Sequence, residues 1–160
     1  MFLNKIIKVS LAVSVVSLTA CSGGSSETSA GSNCGVTYSI SGNASIDGRL
    51  EINDCEIRQL DRGSQDDSFV DEYLVTLNQA GTLGVSMQSN EIDPFLFLLN
   101  SAKSCASGCG AELLIAENDD ISQVNTNAFI SIDLDAGTYL IVANSYDRNT
   151  GSYTLETSFE

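Results

Sequence analysis

Beyond residue 34, apolar and polar positions alternate with a period of two. In "DEYLVTLN" the side chains of Tyr73, Val75 and Leu77 fall on one face, and "TLGVSMQS" repeats the pattern with Leu83, Val85 and Met87. "AFISIDLD" carries Ile130, Ile132 and Leu134 in the same way, and "SYTLETS" carries Tyr153 and Leu155. Successive strand residues point to opposite faces, so this period predicts half-buried strands. Two stretches, "FLFLL" (95–99) and "YLIVA" (139–143), are apolar throughout and predict central strands. Turn-forming residues separate the runs: "QAG" at 79–81, "NEIDP" at 90–94, "DAG" at 135–137 and "DRNTG" at 147–151. The single proline, Pro94, stands at the entry to a strand, where its missing N–H does least harm. Gly137 and Gly151 mark turn-to-strand junctions, where a positive φ would demand glycine. Tyr139 and Tyr153 lead into the strands that follow, as anchors of the core or its rim. The acidic run "DRGSQDDSFVDE" (61–72) reads as a solvated loop entering a strand. No segment shows a sustained helical stripe. The expected fold is all-β: a single jelly-roll-like β-sandwich of about eight strands.

The N-terminus departs from this pattern. It carries Lys5 and Lys8, the second inside the largely apolar run "IIKVSLAVSVVSLTA", and no acid appears before Glu27. That is the layout of a secretory signal peptide over residues 1–20. The run is shorter than the roughly 20 apolar residues a permanent span needs. Leu18, Thr19 and Ala20 lead directly into Cys21, which resembles the bacterial lipobox. There the cysteine thiol takes a diacylglyceryl group and becomes the new N-terminus, and two or three acyl chains (palmitate among them) give stable anchoring. Ser22, a residue other than Asp, implies sorting to the outer membrane by resemblance to Gram-negative lipoproteins. Residues 21–33 are then a lipidated cysteine with a small, polar tether, a coil with an end-to-end distance of roughly 20 Å. Residues 34–160 form the folded domain, lipid-anchored at the cell envelope.

Composition narrows the chemistry. Removal of the signal peptide leaves five basic against 21 acidic residues, a formal charge of −16. Such a surface repels nucleic acid. Four cysteines remain for an oxidising compartment, where disulfides are the default. Three pairings exist, and the spacing favours Cys34–Cys55 and Cys105–Cys109. The chain has no histidine, so the usual Ser-His or Cys-His activation of a nucleophile is absent, and it has no tryptophan to stack on sugars. A non-enzymatic protein is expected.

The ordered succession "IDGRL" (46–50), "NDC" (53–55), "DEYLVTLNQAGTLGVSMQS" (71–89), "IDPFLFLL" (92–99), "AENDD" (116–120), "NAFISIDLDAGTYLIVANSY" (127–146) and "TGSYTLE" (150–156) resembles the bacterial pre-peptidase C-terminal (PPC) domain family. The match covers about residues 40–158. The insertion "SAKSCASGCGAE" (101–112) departs from the family's short turn. The resemblance implies a jelly-roll-like sandwich that accompanies secreted proteases and other extracellular enzymes without being catalytic. In the implied fold Asp93, Asn118, Asp119 and Asp120 flank adjacent strand ends. Some family members bind calcium, and oxygen ligands of this kind suit Ca²⁺; the same "NDD" also makes a plain capping turn. Two readings follow. The first is a binding or accessory module displayed on a lipid anchor to an extracellular protein or polysaccharide. The alternative is a calcium-dependent, lectin-like module for carbohydrate or protein.

Overall fold

The computed structural model describes residues 35–57, 67–105 and 110–160. The expected signal peptide and tether, with Cys21, Cys34 and Cys109, lie outside the described residues. The described residues form ten strands: β1 (Val36–Ile40), β2 (Ala44–Leu50), β3 (Cys55–Glu56), β4 (Phe69–Leu77), β5 (Gly81–Gln88), β6 (Pro94–Leu99), β7 (Leu114–Asn118), β8 (Ala128–Leu134), β9 (Gly137–Ser145) and β10 (Gly151–Phe159). One sheet runs β1-β4-β9-β6-β7, with the two-residue β3 against β4; the other runs β2-β10-β5-β8. Only β1 and β4 pair in parallel. The two sheets pack as a sandwich.

The alternation decides what lies between the sheets. Tyr73, Val75 and Leu77 from β4 meet Leu83, Val85 and Met87 from β5, and all are buried in one cluster with Ile130, Tyr153 and Leu155. Each such side chain removed from water contributes roughly 1.5–3 kcal/mol. The expected central strands are central: β9 sits between β4 and β6. Their unbroken apolarity has a specific cause. The outer face of this sheet carries a second buried cluster of Val70, Phe97, Leu99, Leu140 and Val142, extended at its edge by Cys55 and Ile57 beside β4, with Cys105, Leu113 and Leu114 packed against it. Strands β6 and β9 are therefore apolar on both faces.

Two details differ from expectation. Gly137 and Gly151 do not adopt positive φ; among the described residues only Gly35 and Gly42 do. At Gly151 close approach is what excludes a side chain: a Cβ there would lie 2.7 Å from Ile92 Cγ2 and 2.9 Å from Glu91 Cβ. The end of the acidic run enters a strand as expected but is not solvated. Asp71 and Glu72 lie within β4, and Glu72 is only 3% exposed. Its Oε1 accepts the N–H of Cys105 at 2.7 Å, which fastens the inserted loop to the outer face.

Candidate functional site

β1 ends one sheet and β2 ends the other, on the same side of the sandwich. The gap between these two edges is a groove of about 580 Å³. Its floor is built by the inward positions of β4 and β10. Asp71 and Tyr73 share the inward face of β4 with Val75, because strand side chains repeat every second residue. Tyr153 comes from β10, opposite Gly48 of β2. A Cβ on Gly48 would overlap the Tyr153 ring, so glycine is what lets the ring lie flat across β2. The Tyr153 hydroxyl donates to Asp71 Oδ2 at 2.5 Å and lies 2.5 Å from the Tyr73 hydroxyl. Each phenol has one proton. With Tyr153 donating to the carboxylate, Tyr73 must donate to Tyr153. The result is a directed relay from Tyr73 through Tyr153 to Asp71 that ties the two sheets together. The wall on the β1 side is Tyr38, whose ring stacks on Tyr73 at 6.0 Å and 14°.

Burial pushes the Asp71 carboxyl up from 3.8 to about 6, helped by the charges of Asp54 and Glu51 and opposed by the hydroxyls of Tyr153 and Thr37. Burial likewise drives the phenols of Tyr73 and Tyr153 above their ordinary range, so both stay protonated donors. At the rim, Arg49 Nη1 donates to Glu91 Oε2 at 3.2 Å and to Ser152 Oγ at 2.8 Å. Glu91 is held below the usual carboxylate range first by the Ser152 backbone N–H and then by Arg49. The floor offers fixed hydrogen-bond geometry and negative charge, the equipment of a binding site.

The residues expected from the sequence lie elsewhere. Asn118 ends β7, Asp119 and Asp120 follow it, and Asp93 precedes β6. Asn118 Oδ1 accepts the Phe129 N–H at 2.8 Å, and its Nδ2 donates to the Asp120 carbonyl at 3.1 Å. Asp119 Oδ1 accepts the Asp120 N–H at 2.9 Å. Asn118 and Asp119 thus cap the turn. Asp93 is close enough to feel this turn: burial first, then Asp120, Asp119 and Asp147, hold its carboxyl above the usual range. Its Oδ1 is buried without a hydrogen-bond partner. Among the described residues no three His, Cys, Asp or Glu side chains converge to hold a metal ion. Cys55 and Cys105 are each disulfide-bonded, and their expected partners lie outside the described residues.

The groove was not among the expected sites. Its signal was present: Asp71 is an acid at an inward position of a strand, in register with Tyr73 and Val75 rather than with the polar positions.

No family model matches the chain, and no curated protein matches it. Among solved structures it is similar to the pre-peptidase C-terminal domain of a collagenase from Bacillus anthracis. That likeness has 17% identity and a TM-score of 0.54, and spans 77% of this chain and 96% of that one. It is also similar to PliG, a periplasmic inhibitor of g-type lysozyme, from Aeromonas hydrophila (12% identity, TM-score 0.49, 77% of this chain and 96% of that one). The Salmonella Typhimurium PliG matches at 9% identity and a TM-score of 0.42, over 77% of this chain and 99% of that one. The described chain is a β-sandwich with a PPC-like fold.

Proposed function

We propose that this chain is a non-enzymatic binding module, displayed at the cell envelope by acylated Cys21, whose contact surface is the groove between β1 and β2. The observation that carries the reading is the Asp71–Tyr153–Tyr73 floor. It is a rigid set of hydrogen-bonding groups at the base of an open cavity, with no histidine in the chain to turn it to nucleophilic chemistry. The PPC-like fold, shared with a domain of a collagenase, supports an accessory role beside an extracellular protein or polysaccharide. Disulfides Cys34–Cys55 and Cys105–Cys109 would staple the two ends of the outer-face cover, on a lipoprotein of the outer membrane.

Photo-crosslinking tests the contact surface. A photoreactive residue at Ser89, on the groove rim, should give a discrete envelope adduct that excess unlabelled protein competes away. The same probe at Ser131, on β8, should give none. Equal labelling at both positions, or turnover of any substrate in a peptide and glycoside panel, overturns the reading. The calcium-dependent alternative rests on the unpartnered Asp93 oxygen. It requires millimolar Ca²⁺ to raise the melting temperature and Asp93→Asn to abolish the rise; an unchanged melting temperature removes it.

A further inference from the structure

We propose that the groove seats a cationic side chain, a guanidinium or ammonium group carried by a partner polypeptide, with Asp71 beneath it and the Tyr38 ring beside it. This deepens the reading of the groove as the contact surface and rests on it.

Charge is the first argument. Five carboxylates line the groove (Asp47, Glu51, Asp54, Asp71 and Glu91) against one guanidinium, Arg49. Arg49 is committed to Glu91 and Ser152 at the rim. None of the other four carboxylates has a cationic partner among the described residues. Asp71 is the deepest of them. Its Oδ2 accepts the hydrogen bond of the Tyr153 hydroxyl, while Oδ1 has only a long contact of 3.5 Å from the Thr37 hydroxyl. A desolvated anion without a countercharge is an unfavourable arrangement that an incoming cation relieves.

Geometry selects the kind of cation. Among the described residues no three carboxylates converge on one point. Spread acceptors suit an extended group with several N–H donors in a plane, which reaches more than one of them at once. Tyr38 is 55% exposed and held in place by stacking on Tyr73, leaving an aromatic surface free for a cation to lie against.

The surroundings select a polypeptide. The cavity of about 580 Å³ has room for a side chain with backbone on either side. β1 and β2 each end their sheet, so each leaves a backbone edge that no described strand pairs. An extended segment can lie along such an edge by strand addition while one side chain turns into the groove. The chain's formal charge of −14 draws basic partners toward it.

The test is a titration of the purified protein, followed by NMR, with a blocked pentapeptide, acetyl-Val-Gly-Arg-Gly-Val-amide, and its citrulline counterpart. Citrulline keeps the shape and removes the charge. The arginine peptide should saturate shifts of the Tyr38, Tyr73 and Tyr153 ring signals, with the citrulline peptide about 10-fold weaker, as expected for loss of a charge-assisted contact. Asp71→Asn should lose about 10-fold and Tyr38→Ala about 3-fold toward the arginine peptide alone. Asp133→Asn, an acid on β8 outside the groove, should change nothing. No saturable shift, or equal losses in Asp71→Asn and Asp133→Asn, overturns the proposal. Equal binding of both peptides, weakened in both by Tyr38→Ala, also overturns it while leaving the groove as a contact surface.

Discussion

Asp71 should make the fold less stable at neutral pH than in mild acid, and Asp71→Asn should reverse that. The reasoning is linkage. The carboxyl is raised from 3.8 to about 6 in the folded chain. Below pH 3.8 it is protonated folded and unfolded, and contributes no pH dependence. Between 3.8 and about 6 the folded chain holds a proton that the unfolded chain releases, so stability falls as pH rises. Above about 6 both states are ionised and the penalty is constant. A shift of this size is worth at most about 3 kcal/mol. Solvent reaches part of the group, and screening reduces the figure to about 1–2 kcal/mol. Asn at this position stays neutral, and its side-chain oxygen can still accept the Tyr153 proton. Urea denaturation at pH 4.5 and pH 7.5 measures the difference. The wild-type midpoint should drop between the two values by more than that of Asp71→Asn, and the variant should be the more stable protein at pH 7.5, with the urea dependence unchanged. Asp54 and Asp93, whose carboxyls are also raised by burial, give both proteins the same background. Parallel pH profiles, or a variant destabilised at pH 7.5, would refute the argument that an uncompensated buried charge sits on this floor.

Other substitutions probe the same construction. Gly48→Ala places a Cβ in the Tyr153 ring and should cost about 1–3 kcal/mol by denaturation, since the buried ring has nowhere to move without breaking the relay. Tyr73→Phe removes one donor and should cost about 1 kcal/mol, whereas Tyr153→Phe leaves both Asp71 and Tyr73 unpartnered and should cost about 2–3 kcal/mol; equal costs would mean the relay does not run in the stated direction. Leu155→Ala, in the centre of the main core, should cost about 2–5 kcal/mol. Cys21→Ser should release the protein from the membrane fraction and remove the acyl mass from its N-terminal fragment; an unmodified wild-type fragment would sink the anchoring proposal.

What the sequence made legible, and what it hid, follow one physical line. Strands with one apolar stripe announce themselves by alternation, so β4, β5, β8 and β10 were readable from Tyr73–Leu77, Leu83–Met87, Ile130–Leu134 and Tyr153–Leu155 alone. β6 and β9 were readable as central because apolar runs mark strands with no wet face, although Cys105 and Leu113, which pack against the outer cluster, come from a segment outside both strands. β1, β3 and β7 were harder. β1 is held by parallel pairing to β4 and β3 is two residues long, and neither needs a strong pattern of its own. The sites sorted differently. Asn118, Asp119 and Asp120 stood out because acids and amides cluster there, but a tight turn wants the same residues, and hydrogen bonds to the turn's own backbone occupy Asn118 and Asp119. Asp71 was concealed by the run it belongs to: counted within "DRGSQDDSFVDE", it read as an acid of a solvated loop at the entry to a strand. The alternation held the correction, since an acid two residues before Tyr73 must point between the sheets. On the floor of the groove that carboxylate has no cationic partner among the described residues, and this is the charge the proposed cationic side chain would meet.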